Sequence, residues 1–365
     1  MPEPRRILIV NPFGIGDVLF STPLIRAMRC AFPRAYLAYL CNRRTEEILR
    51  RNPHLNDVFI YERDELIVLW KQRKWSAVRA VVSLLRAIKR RRFDLAIDLS
   101  LGERYSFLLR CLGVRRRIGF DYRRRGRFLT HRLTIDGYRD RHVVEHYVQL
   151  LRSIGITLRD RHLELPVSEA GRRAAQERLR QLGLNPGHPT VGLIPAGGVS
   201  WGLQAHFRRW PQEGFVAVGS SLSARYGAQI LIFGESADEA VCTHIAEGIG
   251  SAAVNLVGKT TLGEFVDCLQ SCDVVVSNDG GPVHIAASQD VPTVSIFGPV
   301  DPDVYGPYPL SEEHRVVFRS DLPCRPCYHR FRLPPCPYER ACLRELTADD
   351  VLSACEATLT ARQRR

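Results

Sequence analysis

The chain has 365 residues, 52 Lys and Arg against 39 Asp and Glu, and a formal net charge of +13. At roughly 150 residues per domain this suggests two domains, and no run reaches the roughly 18 consecutive apolar residues of a membrane span. The charge calls for an acidic partner (nucleic acid, anionic lipid or a phosphorylated substrate) and does not choose among them.

The first residues, Met1-Pro2-Glu3-Pro4-Arg5-Arg6, enter a strand pattern without a cleavable apolar region, so the cytoplasm is the expected location. In a reducing compartment the 11 cysteines are expected as packed thiols or metal ligands. Arg6 to Val10 reads as a strand, Asn11 to Asp17 as a loop with Gly14 and Gly16, and Val18 to Phe32 as a helix. Further strands are expected at Ala35 to Leu40, Val58 to Tyr61 and Phe93 to Leu99. Between them, Leu66 to Trp75 interleaves apolar residues and tryptophans with cations, and an amphipathic Val78 to Arg92 follows. Such a segment fits either an anionic membrane surface or a core-packed helix with a basic outer face. The arginine runs Lys89 to Arg92, Arg115 to Arg117 and Arg123 to Arg127 are either solvated surface or an acidic ligand's partners.

Alternating β and α patterns predict parallel sheets flanked by helices. The first domain is expected over residues 1–165. A polar helix, Glu169 to Leu182, and the turn-rich Gly183 to Pro189 form a linker region over 166–189. A second domain, 190–346, restarts with the strand Thr190 to Ile194 and continues with Gln229 to Gly234. A terminal helix, 347–365, is expected with Thr347 or Asp349 as its cap.

Ser277 to Ala287 carries the strongest chemical signal. The apolar run Val274 to Val276 feeds through Asp279, Gly280 and Gly281 into a helix start, where unpaired N–H groups and the helix dipole both favour an anion. A diphosphate is the first ligand to consider. Near the end, Cys324, Cys327, Cys336 and Cys342 lie in a proline-rich loop with spacing that allows a structural zinc, an iron–sulfur centre or free thiols. The other cysteines, Cys30, Cys41, Cys111, Cys242, Cys268, Cys272 and Cys355, read as small core residues.

Several segments in order resemble glycosyltransferase family 9, whose best-known members are the ADP-heptose:lipopolysaccharide heptosyltransferases. They are Ile7 to Val10 with Gly14 to Val18 and Thr22-Pro23-Leu24, then Phe93 to Leu99, Arg208-Arg209-Trp210-Pro211, Asn278 to His284, and Val291 to Pro299. The resemblance implies an α/β, GT-B architecture: two Rossmann-like domains with parallel sheets facing a central cleft, acceptor on the first and nucleotide sugar on the second. It implies inversion without a catalytic metal. The catalytic carboxylate falls on Asp17, whose alternative role is that of a helix cap. The diphosphate loop falls on Asp279, Gly280, Gly281 and His284, the last of which reads otherwise as a partly buried helix histidine. Arg208 is the candidate cation for the leaving group, where the family pattern has lysine, and Gly280 stands where threonine is common.

The segment Gly234 to Glu239 resembles the nucleoside-binding stretch, with Glu239 or Asp238 to hold the ribose or else to cap a helix. For the acceptor, Gly102, Arg104 and Arg123 are the candidates, suited to a lipid-linked acidic oligosaccharide and to peripheral contact with the inner membrane. Two other functions remain open, a nicotinamide-dependent oxidoreductase and a basic nucleic-acid-binding protein. The first lacks G-x-G-x-x-G with a distant acid after the opening strand, and the basic runs of the second lack interleaved aromatics in a recognisable single-strand or helix-turn-helix arrangement.

Overall fold

Aliphatic and β-branched runs become strands because their side chains fill both faces of a covered sheet. The computed structural model describes residues 3–197 and 199–363. The chain divides into a first unit ending at Glu164 and a second starting at Leu165. In the first, β1 (Arg6–Val10), β2 (Tyr36–Cys41), β3 (Asp57–Ile60), β4 (Leu95–Asp98), β5 (Arg116–Tyr122) and β6 (His131–Ile135) form one sheet in the order β3-β2-β1-β4-β5-β6. In the second, β7 (Thr190–Ile194), β8 (Gln229–Ile232), β9 (Ala253–Asn255), β10 (Val274–Asn278), β11 (Thr293–Ile296) and β12 (His314–Val317) repeat that topology as β12-β11-β10-β7-β8-β9. All ten pairings are parallel.

Each sheet therefore reverses its winding beside its first strand, at β1/β4 and at β7/β10. Helices leave opposite faces there, which opens a crevice at the carboxyl ends of the strands. In the first unit, Leu8, Val10, Ala38, Leu40, Phe59, Ile88, Phe93 and Ala96 pack together beneath that edge. In the second, Val191, Leu193, Ile230, Ile232, Val274, Val276, Val294 and Ile296 pack with Phe215, Trp210 and the terminal helix residues Val351, Leu352, Cys355 and Leu359.

Several expectations need correction. The helix expected from Val18 to Phe32 is two helices, Ile15–Phe20 and Thr22–Ala31, because Pro23 sits in the first turn of the second, where its missing N–H costs nothing. The segment 166–189 is not a free linker. Its helix, Glu169–Gln181, is capped by Ser168, whose Oγ accepts the Gly171 N–H at 3.0 Å. The same helix is fastened to the second unit by Arg172 on Gln270 and Arg178 on Glu264. Thr347 rather than Asp349 caps the terminal helix Ala348–Gln363, its Oγ1 accepting the Asp350 N–H at 3.2 Å. Cys30 and Cys111 are exposed, whereas Cys41, Cys242, Cys268, Cys272 and Cys355 are buried as expected.

Asp98, the last residue of β4, is 3% exposed, and burial raises its carboxyl to about 6 even though Oδ1 accepts the Ser100 N–H. In the folded chain it keeps a proton up to about pH 6, while unfolded it would release it near 3.8. Its contribution to stability is therefore full at low pH and lost as pH rises through 4 to 6, a loss of about 3 kcal/mol at most. Asp98→Asn should flatten the pH dependence in that window and raise the denaturation midpoint at pH 8. Urea titrations at pH 5 and pH 8 measure this.

Candidate functional site

In the first unit, the loop after β1 is built by side-chain amides. Phe13 N–H donates to Asn11 Oδ1 (3.2 Å), Asn11 Nδ2 donates to the Asp17 carbonyl (3.1 Å), and Asn42 Nδ2 donates to the carbonyls of Pro12 (3.2 Å) and Phe13 (2.6 Å). The helix Ile15–Phe20 then starts at Gly14, with Gly16 in its first turn. Asp17 is half-buried and its Oδ2 accepts the Gly14 N–H at 3.3 Å, so the capping role anticipated for it is real. Gly14 has φ −76°, and a Cβ there would meet only Asp17 Oδ2, at 3.8 Å, so the turn itself does not require glycine.

Asp17 also faces a group of aromatics that the sequence did not reveal. Tyr39, Tyr138 and Tyr147 all carry phenols pushed up mainly by burial and further by the Asp17 charge. Tyr39 is held by Ser21 Oγ at 2.8 Å, and Tyr138 stands edge-on to Tyr147 and Phe120. Gly102 and Arg104 follow β4 and Arg123 follows β5, so these three lie on the same carboxyl edge of the sheet as Asp17. Gly102 precedes the helix Glu103–Cys111, and Arg127 bridges the β5 loop to Glu103 at 3.3 Å. Arg104 and Arg123 are exposed, Arg123 with its guanidinium over the Tyr122 ring.

In the second unit, the carboxyl ends of β7, β8 and β10 meet around Asn278. Its Nδ2 donates to the Pro195 carbonyl (2.6 Å) and its Oδ1 accepts the Trp210 N–H (2.9 Å). Trp210 is 3% exposed, bonded through Nε1 to the Leu346 carbonyl and seated against Gly214, where a Cβ would lie 2.4 Å from the ring. Arg208-Arg209 is thereby fixed above the strand ends.

Asp279 is 2% exposed and bound by Arg208 through Nε to Oδ2 (2.9 Å) and Nη2 to Oδ1 (2.5 Å). Burial pushes its carboxyl up, and the guanidinium pulls it part of the way back. Asp279 thus aims Arg208, a pairing that the sequence did not reveal. The pair uses Nε and Nη2 and leaves Nη1 outside it. The guanidinium lies 4.6 Å over the Trp201 ring, which stacks on Tyr328 at 4.7 Å, and Tyr328 leans on Tyr305 at 6.0 Å. Trp201 and Tyr328 were not foreseen; the sole signal was a tryptophan between Gly197 and Gly202.

Arg209 donates to the Gly197 carbonyl (3.1 Å) and pairs with Asp238 (3.3 Å), which is 6% exposed and also accepts the Glu235 N–H. Asp238 is thus committed to the scaffold, and Glu239, exposed in the first turn of Glu239–Ile249, is the carboxylate available to a ligand. Gly280 caps the helix Gly281–Ala287 with an extended backbone, φ 164°, and a Cβ would meet nothing nearer than Pro282 Cδ at 3.7 Å. His284 lies in that helix, 4% exposed.

Cys324, Cys327, Cys336 and Cys342 are free thiols. Among the described residues, no group of three or more His, Cys, Asp or Glu is placed to hold a metal ion. Instead Arg325 organises the loop, donating to the carbonyls of Gly298, Arg319 (2.9 Å) and Val300 (3.3 Å) and lying over Phe318. Cys327 and Tyr328 both donate their N–H to the Pro299 carbonyl at 3.0 Å. Cys336 accepts the Arg340 N–H, and Cys342 is buried, its thiol pushed up to about 11. Burial likewise raises the Cys327 thiol.

Residues 81–335, more than half of the chain, match the sequence model of glycosyltransferase family 9 (heptosyltransferase). Similar curated proteins include lipopolysaccharide heptosyltransferase 3 of Escherichia coli K12, 26% identical over 94% of this chain and 95% of the relative. Lipooligosaccharide heptosyltransferase 2 of Campylobacter jejuni is 25% identical over 95% and 96%. Among solved structures, E. coli ADP-heptose lps heptosyltransferase II has a TM-score of 0.75 at 23% identity, covering 98% of this chain and 99% of that one. A glycosyl transferase family 9 protein from Veillonella parvula reaches 0.79 at 23%, covering 98% of each chain. These likenesses bear out the α/β, GT-B-type fold.

Arg208→Ala should leave Asp279 buried and unpaired, at a cost of about 3–5 kcal/mol, while the double variant with Asp279→Asn should recover most of it. Gly280→Thr should fold with an unchanged melting temperature, within a few degrees. Calorimetry of the variants decides both.

Proposed function

Because the chain belongs to glycosyltransferase family 9, we propose that it transfers a heptose, with inversion, from an ADP-linked donor to a lipopolysaccharide-core-type acceptor. The acceptor is an acidic glycolipid, and the enzyme works on the cytoplasmic side of the membrane that carries it. The observation that carries the reading is the Arg208 guanidinium, pinned by buried Asp279 at the β7/β10 reversal with Nη1 left outside the pair.

In this reaction the acceptor hydroxyl oxygen bonds to the anomeric carbon, the bond from that carbon to the diphosphate oxygen breaks with its electron pair, and the hydroxyl proton passes to the Asp17 carboxylate. Arg208 meets the charge developing on the departing diphosphate, with the amides of Gly280 and Gly281 and the ring of His284 beside it. Glu239 accepts the ribose hydroxyls. Arg104 and Arg123 face the acidic groups of the acceptor, and the backbone of Gly102 lies beside them. The reading assigns no step to a metal, since the positive charge comes from the arginine and the amides. An E. coli heptosyltransferase has been solved with ADP, in keeping with an adenine nucleotide as the leaving group here.

ADP should stabilise the protein against heat, while NAD and oligonucleotides should not; a ligand at a hundred times its Kd contributes about 2.7 kcal/mol. Stabilisation by NAD alone would favour the oxidoreductase and defeat the reading. Asp17→Asn should lower kcat by about a thousandfold or more with ADP affinity nearly unchanged. Transfer should persist in EDTA. A folded Asp17→Asn protein that no longer binds ADP would show the division of roles to be wrong.

A further inference from the structure

An acid-free stretch of the first unit that is rich in cations lies away from the strand ends that carry Asp17. Between Glu65 and Asp94 the sequence has no Asp or Glu and nine cations: Lys71, Arg73, Lys74, Arg79, Arg86, Lys89, Arg90, Arg91 and Arg92. Two helices occupy it, Arg63–Gln72 and Lys74–Arg91. The second buries Ala77 and Ile88, and Val81, Leu84 and Leu85 are half-buried on the same side. On the opposite side Trp75, Arg79, Val82, Arg86, Lys89 and Arg90 follow at i, i+4, i+7, i+11, i+14 and i+15, a single stripe of a 3.6-residue helix.

That stripe is open. Trp75 is 79% exposed, and Trp70 and Val68 on the preceding helix are 52% and 51% exposed. Large apolar side chains left this bare, set among cations, mark an interaction surface. The neighbouring carboxylates are already engaged: Asp57 by Arg91 (2.9 Å), Glu65 by Arg43 (2.7 Å), and Asp94 by the Arg5 N–H (2.9 Å) with Arg116 at 3.8 Å. At its basic end the stripe borders a cavity of about 650 Å³ lined by Arg86, Lys89, Arg90, Arg92 and Arg115, with Asp94 as its one acid.

We propose that this face docks on an anionic phospholipid bilayer, tryptophans at the acyl boundary, arginines on the phosphates, and a headgroup in the cavity. A bilayer satisfies both halves of the surface at once, the apolar end and the acid-free cationic end, which a nucleic-acid backbone does not. Topology supports the orientation. The helix Lys74–Arg91 runs from the edge where β3 ends, the edge that carries Asp17, to the edge where β4 begins. Docking along its length therefore leaves the Asp17 edge open to an acceptor anchored in the same bilayer. The inference deepens the glycolipid-acceptor reading, and its test uses neither donor nor acceptor.

Co-sedimentation of the full chain with phosphatidylcholine vesicles, with and without phosphatidylglycerol, measures it. Binding is expected only with phosphatidylglycerol and should weaken with added salt. The exposed-site triple variant Arg86→Glu/Lys89→Glu/Arg90→Glu should lose partitioning by about a hundredfold or more, at about fivefold per cation. Trp75→Ala should lose severalfold, and Arg173→Glu on the second unit should bind as wild type. Melting curves confirm that each variant is folded. Absence of binding to anionic vesicles, wild-type binding by both the triple variant and Trp75→Ala, or retention by RNA in place of vesicles would overturn the proposal. Each of those results would leave transfer to a soluble acceptor, and so the enzymatic reading, intact.

Discussion

A carboxylate that is 2% exposed at the end of a central strand must be paired or neutral, and the donor half of the site depends on how that demand is met. Asp279 is fixed by its own backbone, whose N–H donates to the Ile296 carbonyl, and by Asn278 before it, which bonds Pro195 and Trp210. Its partner is therefore drawn to one place. Arginine meets the requirement in a way that the lysine of the resembled pattern does not. The fork donates Nε–H to Asp279, sets Nη2 in ion-pair contact with its other oxygen, keeps Nη1 outside the pair and lays its face on Trp201. An ammonium could satisfy the carboxylate but would carry no flat face for the indole.

The fold was legible because its signals were local and redundant. Strands at Arg6–Val10 and Thr190–Ile194 appear where the aliphatic runs stand, the other expected strands are displaced by a residue or two, and β9, β11 and β12 were not anticipated. What stayed hidden was set by tertiary contact. Strands β5 and β6 were obscured by arginines and alternating polar residues, because charge runs read as surface. Asp17 and Arg208 could be nominated from position after a strand and before Trp-Pro. That Asp238 and Asp279 pair with arginines depends on burial and tertiary contact, which no spacing reveals. Trp201, Tyr39, Tyr138 and Tyr147 come from four separate segments and share no pattern.

The cysteine-rich loop has an anchor outside its thiols. A proline-rich segment with little regular structure needs some interior anchor, and four thiols invited a metal in that role. The anchor is Arg325, whose guanidinium collects carbonyls from Gly298, Val300 and Arg319 and lies on Phe318. Backbone carbonyls desolvated in a loop are costly, and one planar cation with several donors satisfies them together. Burial lowers the proton affinity of Arg325 and raises that of Cys342 and Cys327. Its ordering in turn delivers Tyr328 to the stack beneath Arg208.

The same sorting applies to the excess of arginine as a whole. Arg117, in a run that reads as surface, donates to the Phe128 and Arg115 carbonyls and is shifted downward by burial, so it closes the β5 turn. Arg26 ties the helix Thr22–Ala31 to Asp160 and Glu164, and Arg29 gathers the carbonyls of Pro33, Ala35 and His54. These cations are consumed internally and contribute little field at the surface. The net charge of +13 is thus expressed where arginines have no such work, above all along the Trp75 to Arg90 stripe and the adjoining cavity. A fold that sequesters part of its basic residues and leaves an acid-free, tryptophan-bearing face places long-range attraction there, and that face sits on the same unit as Asp17.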